Sequence, residues 1–181
     1  MIGIAVAAGS ACKDENKYKK EMAQLDSLKS ALKISDSVKY DSVSVNERIS
    51  SVNKDLSQMD TLLPDTLNDK ELAILLMDYR SAIMPLKQYP GKLKELKNIS
   101  AAAQKRMDDL ESDLEKDIAD EKEVSNYINA EKVNAGNIVR SIAVLELIRD
   151  SAEKKIAGEK EVISGKIEEL SILKKEKKKK H

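Results

Sequence analysis

The chain's 181 residues are 35% charged and only 3% aromatic, with no Phe or Trp; a globule of this length ordinarily buries several large rings, so any core is thin and aliphatic. Basic and acidic side chains balance at 32 each, but KKEKKKK (174–180) carries +5 and the remainder therefore −5. The single Cys excludes an internal disulfide, and no apolar run approaches the roughly 20 residues that span a bilayer.

In chain order the first feature is MIGIAVAAGSACKDEN. IGIAVAA is a short apolar run, and Gly9, Ser10 and Ala11 place small residues directly before the only cysteine, Cys12. A sharply polar stretch follows. This arrangement resembles the lipobox of bacterial lipoproteins, with Gly9 where Leu is usual and no Lys or Arg ahead of the apolar run. The resemblance implies that residues 1–11 are a signal-peptide-like segment and that Cys12 is acylated and begins the mature chain. Two or more acyl chains would hold it stably, because one alone binds only marginally. Lys13, Asp14 and Glu15 resemble the signal that carries lipoproteins of the Bacteroidota to the outer leaflet of the outer membrane. That implies a lipid-anchored, surface-exposed place in the cell envelope.

Triplets of Asp, Ser or Thr and a small aliphatic residue occur at 26–28, 36–38, 41–43, 60–62, 65–67 and 150–152. Composition alone gives about one. They resemble the O-glycosylation motif of the same bacteria, which implies Ser27, Ser37, Thr61 and Thr66 as acceptors. Thr61 and Thr66 flank an expected turn, whereas Ser42 falls on an apolar seam.

Residues 12–63 read as the anchor and a first long helix. A 4-3 spacing links Leu28, Ala31, Ser35, Val38, Ser42, Val45, Ile49, Val52, Leu56, Met59 and Leu63, as helices that wrap around each other require. Tyr18, Met22 and Leu25 extend it upstream. One helix is predicted from about Asp14 to about Thr61, roughly 70 Å long. Residues 64–91 then hold a turn at Pro64 and a short buried helix near 68–88. Asn68 with Glu71 caps that helix, Pro85 kinks it, and the Pro-Gly pair in QYPGK makes a second turn.

From Leu93 the 4-3 spacing restarts and predicts one helix of about 80 residues over 92–173. Gly136 would suit a C-cap, but the phase passes through it. The first and third helices run parallel, with the second antiparallel between them. The fold expected is all-α, an elongated antiparallel/parallel bundle or coiled coil of about three helices, one very long. Part of the longest seam then lacks an internal partner. Ile138, Ile142, Leu145, Ile156, Ile163 and Leu170 are expected to bind a second copy or another envelope protein. Polar residues on that seam, at Asp117, Glu121, Glu131, Arg149, Glu159 and Lys166, would set register or partner choice.

The tail at 174–181 is polybasic, and Lys177, Lys178, Lys179 and Lys180 could hold a polyanion through counterion release. Nucleic acid is disfavoured, because the tail has neither Arg nor an aromatic side chain. Enzyme chemistry lacks its parts. The only His is His181, Cys12 has no His near it in sequence to activate it, and no Gly-rich phosphate loop, zinc-ligand spacing or hydrolase motif occurs. DDLESDLEKDIADEKE (108–123) reads as a solvated helix face. No catalytic residue, metal or cofactor is expected. The function expected is that of a non-catalytic, lipid-anchored coiled-coil structural or adaptor protein of the cell envelope, an accessory subunit of a larger complex. The alternative is a soluble coiled-coil adaptor or polyanion-binding protein with an uncleaved N-terminus.

Overall fold

The computed structural model describes residues 17–63 and 69–179, and every regular element among them is helical. In chain order these are α1 (Lys19–Leu32), α2 (Ile34–Ser37), α3 (Ser42–Leu62), α4 (Lys70–Glu115) and α5 (Glu121–Lys179). The fold is all-α, a bundle of three columns. The short helices α1 to α3 follow one another up the first column, α4 runs back down the second, and α5 rises along both. Contacts at the two ends fix these directions. Lys17 meets Glu121 at one end, and Lys174 donates to the Thr61 carbonyl at the other.

The 46 residues of α4 span about 70 Å, and the 59 of α5 nearly 90 Å. The short helix expected at 68–88 and the turn at 88–92 do not form, because α4 passes through Pro85, Pro90 and Gly91. Its buried positions explain why. Leu72, Tyr79, Ala82, Leu86, Tyr89, Leu93, Ser100, Ala103, Met107 and Leu114 keep one seven-residue rhythm across both prolines. Each proline costs about 3 kcal/mol in a helix interior. Burying Ile83, Leu86, Tyr89 and Leu93 around them returns about 1.5–3 kcal/mol apiece, which equals or exceeds the cost of the pair. Asp69 caps the helix start, accepting from the Leu72 N–H at 3.0 Å. Asn68, where the capped start was expected, lies outside the described residues.

The chain instead reverses at residues 116–120, inside the acidic stretch expected to be helix surface. Asp117 adopts φ 58°, the left-handed conformation that follows a helix C-terminus. Its N–H bonds the Leu114 carbonyl at 3.1 Å, and the Ile118 N–H bonds Asp113 at 3.0 Å. This is a Schellman closure with Asp where Gly is usual, which Asp tolerates better than most residues. Asp120 then caps α5, accepting from the Lys122 N–H at 3.0 Å. Beyond this turn α5 is continuous through Gly136, Gly158 and Gly165.

The first column departs from the single helix expected over residues 14–61. Residues 38–41 are not helical, with extended backbone at Val38 (ψ 109°) and Asp41 (ψ 92°). In DSVKYDSV (36–43) the Ser and Asp side chains compete for backbone groups, and Val and Tyr favour extended geometry. Asp41 takes the competing role, accepting from the Val43 and Ser44 N–H groups at 3.1 Å each. Ala31 and Ser42 are exposed rather than on the seam, and in α1 it is Leu32, seven residues after the buried Leu25, that turns inward.

The core is divided along the rod. Leu25 and Leu32 of α1 meet Met107 and Leu114 of α4 and Val124 to Ile142 of α5. Val45 to Met59 of α3 meet Leu72 to Leu86 of α4 and Ala152 to Ile163 of α5. Between them Tyr89, Leu93 and Leu145 are covered by Val38 and Tyr40 from the non-helical break.

Candidate functional site

Cys12, Thr66 and Lys180 lie outside the described residues, and Lys177, Lys178 and Lys179 form the last turn of α5. Ser27, Ser37 and Thr61 are exposed. Ser37 Oγ donates to the Ile34 carbonyl at 2.8 Å, and Thr61 Oγ1 donates to Ser57 at 2.8 Å. Such back-bonds leave the hydroxyl oxygens facing water.

The seam expected to take a partner is occupied by the chain itself. Ile138, Ile142, Leu145, Ile156 and Ile163 are buried, and Leu170 packs at the edge of the same core. The length of α4 is the reason. A helix running from Lys70 to Glu115 covers most of the length of α5, where a 20-residue helix would have left half of it bare.

Polar residues on the seam are paired within the bundle. Asp117 and Glu121 sit at the α4–α5 turn, where both hold Lys17. Glu131, only 4% exposed, takes Arg106 through two bonds of 2.6 and 3.0 Å. Lys29 joins Glu111 and Asp108 from the facing α4. Ser35 and Ser100 lie buried with their hydroxyls 3.0 Å apart, and both reach the Leu32 carbonyl, at 2.8 and 3.4 Å. That pair ties α2 to α4.

At the break, Tyr40 packs on Tyr89 with ring centroids 5.4 Å apart. The Tyr89 hydroxyl donates to Glu146 and accepts from Arg149 Nη1 at 3.2 Å, while Arg149 also bridges Glu146 at 2.9 Å and Asp150 at 2.7 Å. Burial, reinforced by the Glu146 carboxylate, pushes the Tyr89 phenol up to about 12. Farther along, Tyr79 donates to Asp55 Oδ2 at 2.8 Å, and burial again raises its phenol. Glu159 is the exception to this pairing. Its Oε2 is buried without a hydrogen-bond partner, and burial raises its carboxyl, with Asp78 adding to the effect and Lys155 opposing it.

These clusters bind the columns together. The phenols are held protonated at neutral pH, and among the described residues no group of three potential ligands could hold a metal ion. No described helix is long and apolar enough to cross a membrane. Among the concave regions that face outward, besides one of about 290 Å³ between α3 at Ser57 and Leu62 and α5 at Ile167 and Ser171, two stand out. One, of about 280 Å³ at the α4–α5 turn, is walled by Asp109, Asp113, Asp120 and Glu123 beside Tyr127. The other, of about 640 Å³, is an open groove between α3 and α4, floored by Leu56 and Ile83, edged by Met77 and Met84, and spanned by the Arg80–Asp60 pair at 3.7 Å. Both are open furrows between helices.

Sequence reasoning missed the outer faces. Apolar residues recur on the solvent side of α5, with Leu147 70% exposed. A second periodicity, offset from the core seam, was the signal available. No family model matches the chain, and no curated protein or solved structure is significantly similar to it.

Proposed function

We propose that this chain is a non-catalytic structural or adaptor protein of the bacterial cell envelope, a helical rod held at one end by lipid on Cys12 and serving as an accessory part of a larger assembly. The observation that carries the reading is AAGSACKDEN: small residues before a lone cysteine, followed at once by charge. Its place is consistent with the role. Cys12 precedes by five positions Lys17, which stands at the α4–α5 end, while α5 ends at Lys179 beyond the opposite end. A lipid at one end and lysines at the other would set the rod across the space next to a membrane, with Ser27, Ser37 and Thr61 open to glycans along it.

The test is intact-mass spectrometry and membrane fractionation of the chain from its native cells, beside Cys12→Ser. The expected result is a mass lacking residues 1–11 and carrying acyl chains, with Cys12→Ser released into the soluble fraction. An unmodified full-length mass in the soluble fraction refutes the anchor. It would favour the second reading, a soluble adaptor whose lysine end binds polyanions, which the +5 tail supports. Binding to heparin that collapses with salt would then be expected.

A further inference from the structure

The outward side of α5 carries a second pattern that no contact inside the bundle explains. Val144, Ser151, Gly158, Gly165 and Ile172 recur every seven residues, and all are exposed. A Cβ added at Gly158 or Gly165 would meet nothing within 4 Å, and neither glycine has positive φ. Each nevertheless weakens an exposed helix by about 1 kcal/mol relative to Ala. Beside this line stand Leu147 and Val162, 70% and 52% exposed. Small residues with flanking aliphatics on a surface rich in charge form a track on which another helix can lie close.

We propose that this face of α5 joins a second copy of the chain in an antiparallel dimer, about a two-fold axis between Lys154 and Lys155. In that register each Arg140 faces Glu169 of the second copy. Arg140 has no acidic partner among the described residues, and Glu169 holds only Lys166 of its own helix, at 2.9 Å in an exposed pair. Leu147 meets Val162, Val144 lies over Gly165, and Ser151 lies over Gly158. Every one of these pairs occurs twice by symmetry. A parallel dimer would set Arg140 on Arg140 and Glu169 on Glu169, which charge repulsion disfavours. At the axis Lys155 is already drawn to Asp78 at 3.1 Å, and the stem of Lys154 can carry its charge outward to water.

From Arg140 to Glu169 the track is about 44 Å long and about 12 Å wide. It would bury about 1,000 Å² in all, the lower bound of a specific interface, so the dimer should be weak and reversible. This proposal requires no lipid. The surface replaces the buried seam around Ile142 as the place of self-association.

Sedimentation of the full chain bearing Cys12→Ser, which excludes a disulfide-linked dimer, tests it. A concentration-dependent monomer–dimer equilibrium is expected. Leu147→Glu should weaken it at least about tenfold with an unchanged helical melting curve, since the side chain supports nothing inside. Arg140→Glu should weaken it, and adding Glu169→Arg should restore it, a rescue that only the antiparallel register provides. A chain that stays monomeric at millimolar concentration, or a dimer indifferent to Leu147→Glu, overturns the proposal. A dimer weakened by Leu147→Glu but not rescued by the charge exchange overturns the register.

Discussion

Replacing Pro90 with Ala asks directly whether α4 is one helix. In α4 the substitution restores an N–H that can reach the Leu86 carbonyl and removes a ring from a helix interior, a difference of about 3 kcal/mol. Pro90 is half-buried between Tyr89 and Gly91, so losing part of its ring contacts offsets some of this, on the order of 0.5–1 kcal/mol. The net expectation is a gain of about 2 kcal/mol. If residues 88–92 formed a turn, the sign would reverse, because proline there would restrict the unfolded chain and its removal would lose about 0.4–1 kcal/mol. Urea unfolding followed by circular dichroism at the helical band reads the difference. With a slope of about 2–3 kcal/mol per molar, the midpoint should rise by roughly 0.7–1 M at unchanged slope. A lowered midpoint would refute the continuous helix and the packing argument built on it.

Removing one partner of the Glu131 pair should separate buried from exposed ion pairs. Arg106→Ala strands a carboxylate that is 4% exposed, and because the Arg side chain itself is 44% exposed, water tempers the loss to about 2–3 kcal/mol. Arg106→Leu with Glu131→Leu should unfold close to the parent midpoint, while Arg80→Ala, at an exposed pair with Asp60, should cost at most about 1 kcal/mol. Equal losses for Arg80→Ala and Arg106→Ala would contradict the burial argument. Glu159 gives a pH test. Burial raises its carboxyl above the ordinary value of 4.5, with Lys155 opposing and Asp78 adding to the rise, so the folded chain holds this proton more tightly than the unfolded one. Its contribution is most favourable below the unfolded value and falls as pH rises through the shifted one. Glu159→Gln should therefore raise the unfolding midpoint at pH 7 and leave it unchanged near pH 4; a gain of equal size at both would remove the titration from the explanation.

The spacing from Leu93 onward was legible because burial in a bundle is periodic, and nearly every position on that seam is inward. The reversal at 116–120 was hidden by the same regularity. Leu114 and Val124 lie on the one 4-3 series, and the intervening Asp117 and Glu121 occupy its positions while forming the turn. Acidic residues there looked like helix surface, although Asp117 and Asp120 serve as C-terminal and N-terminal caps. Pro85, Pro90 and Gly91 misled in the opposite sense. Their local preference is real, but Leu72, Tyr79, Ala82 and Leu86 already carry the rhythm that continues at Leu93, and packing overrides propensity. Moving one turn from 88–92 to 116–120 lengthened α4, and that alone converted the expected partner seam into core. The N-terminal segment and the tail lie beyond what packing can inform.

The four non-helical residues at 38–41 give the rod a mechanical character. Tension at Lys17 would load α1, which is held to α4 and α5 by its own core patch and by Lys29 and Lys17 at their ion pairs. Strain cannot pass along a helix into α3, because the helical hydrogen bonds stop at the joint. The lower column would peel first, up to the Tyr40–Tyr89 stack, and the 25 residues from 17 to 41 would straighten to a total length of about 85 Å. Meanwhile α3, α4 and α5 would keep their shared core, so the chain would yield as an extensible tether with an intact upper half.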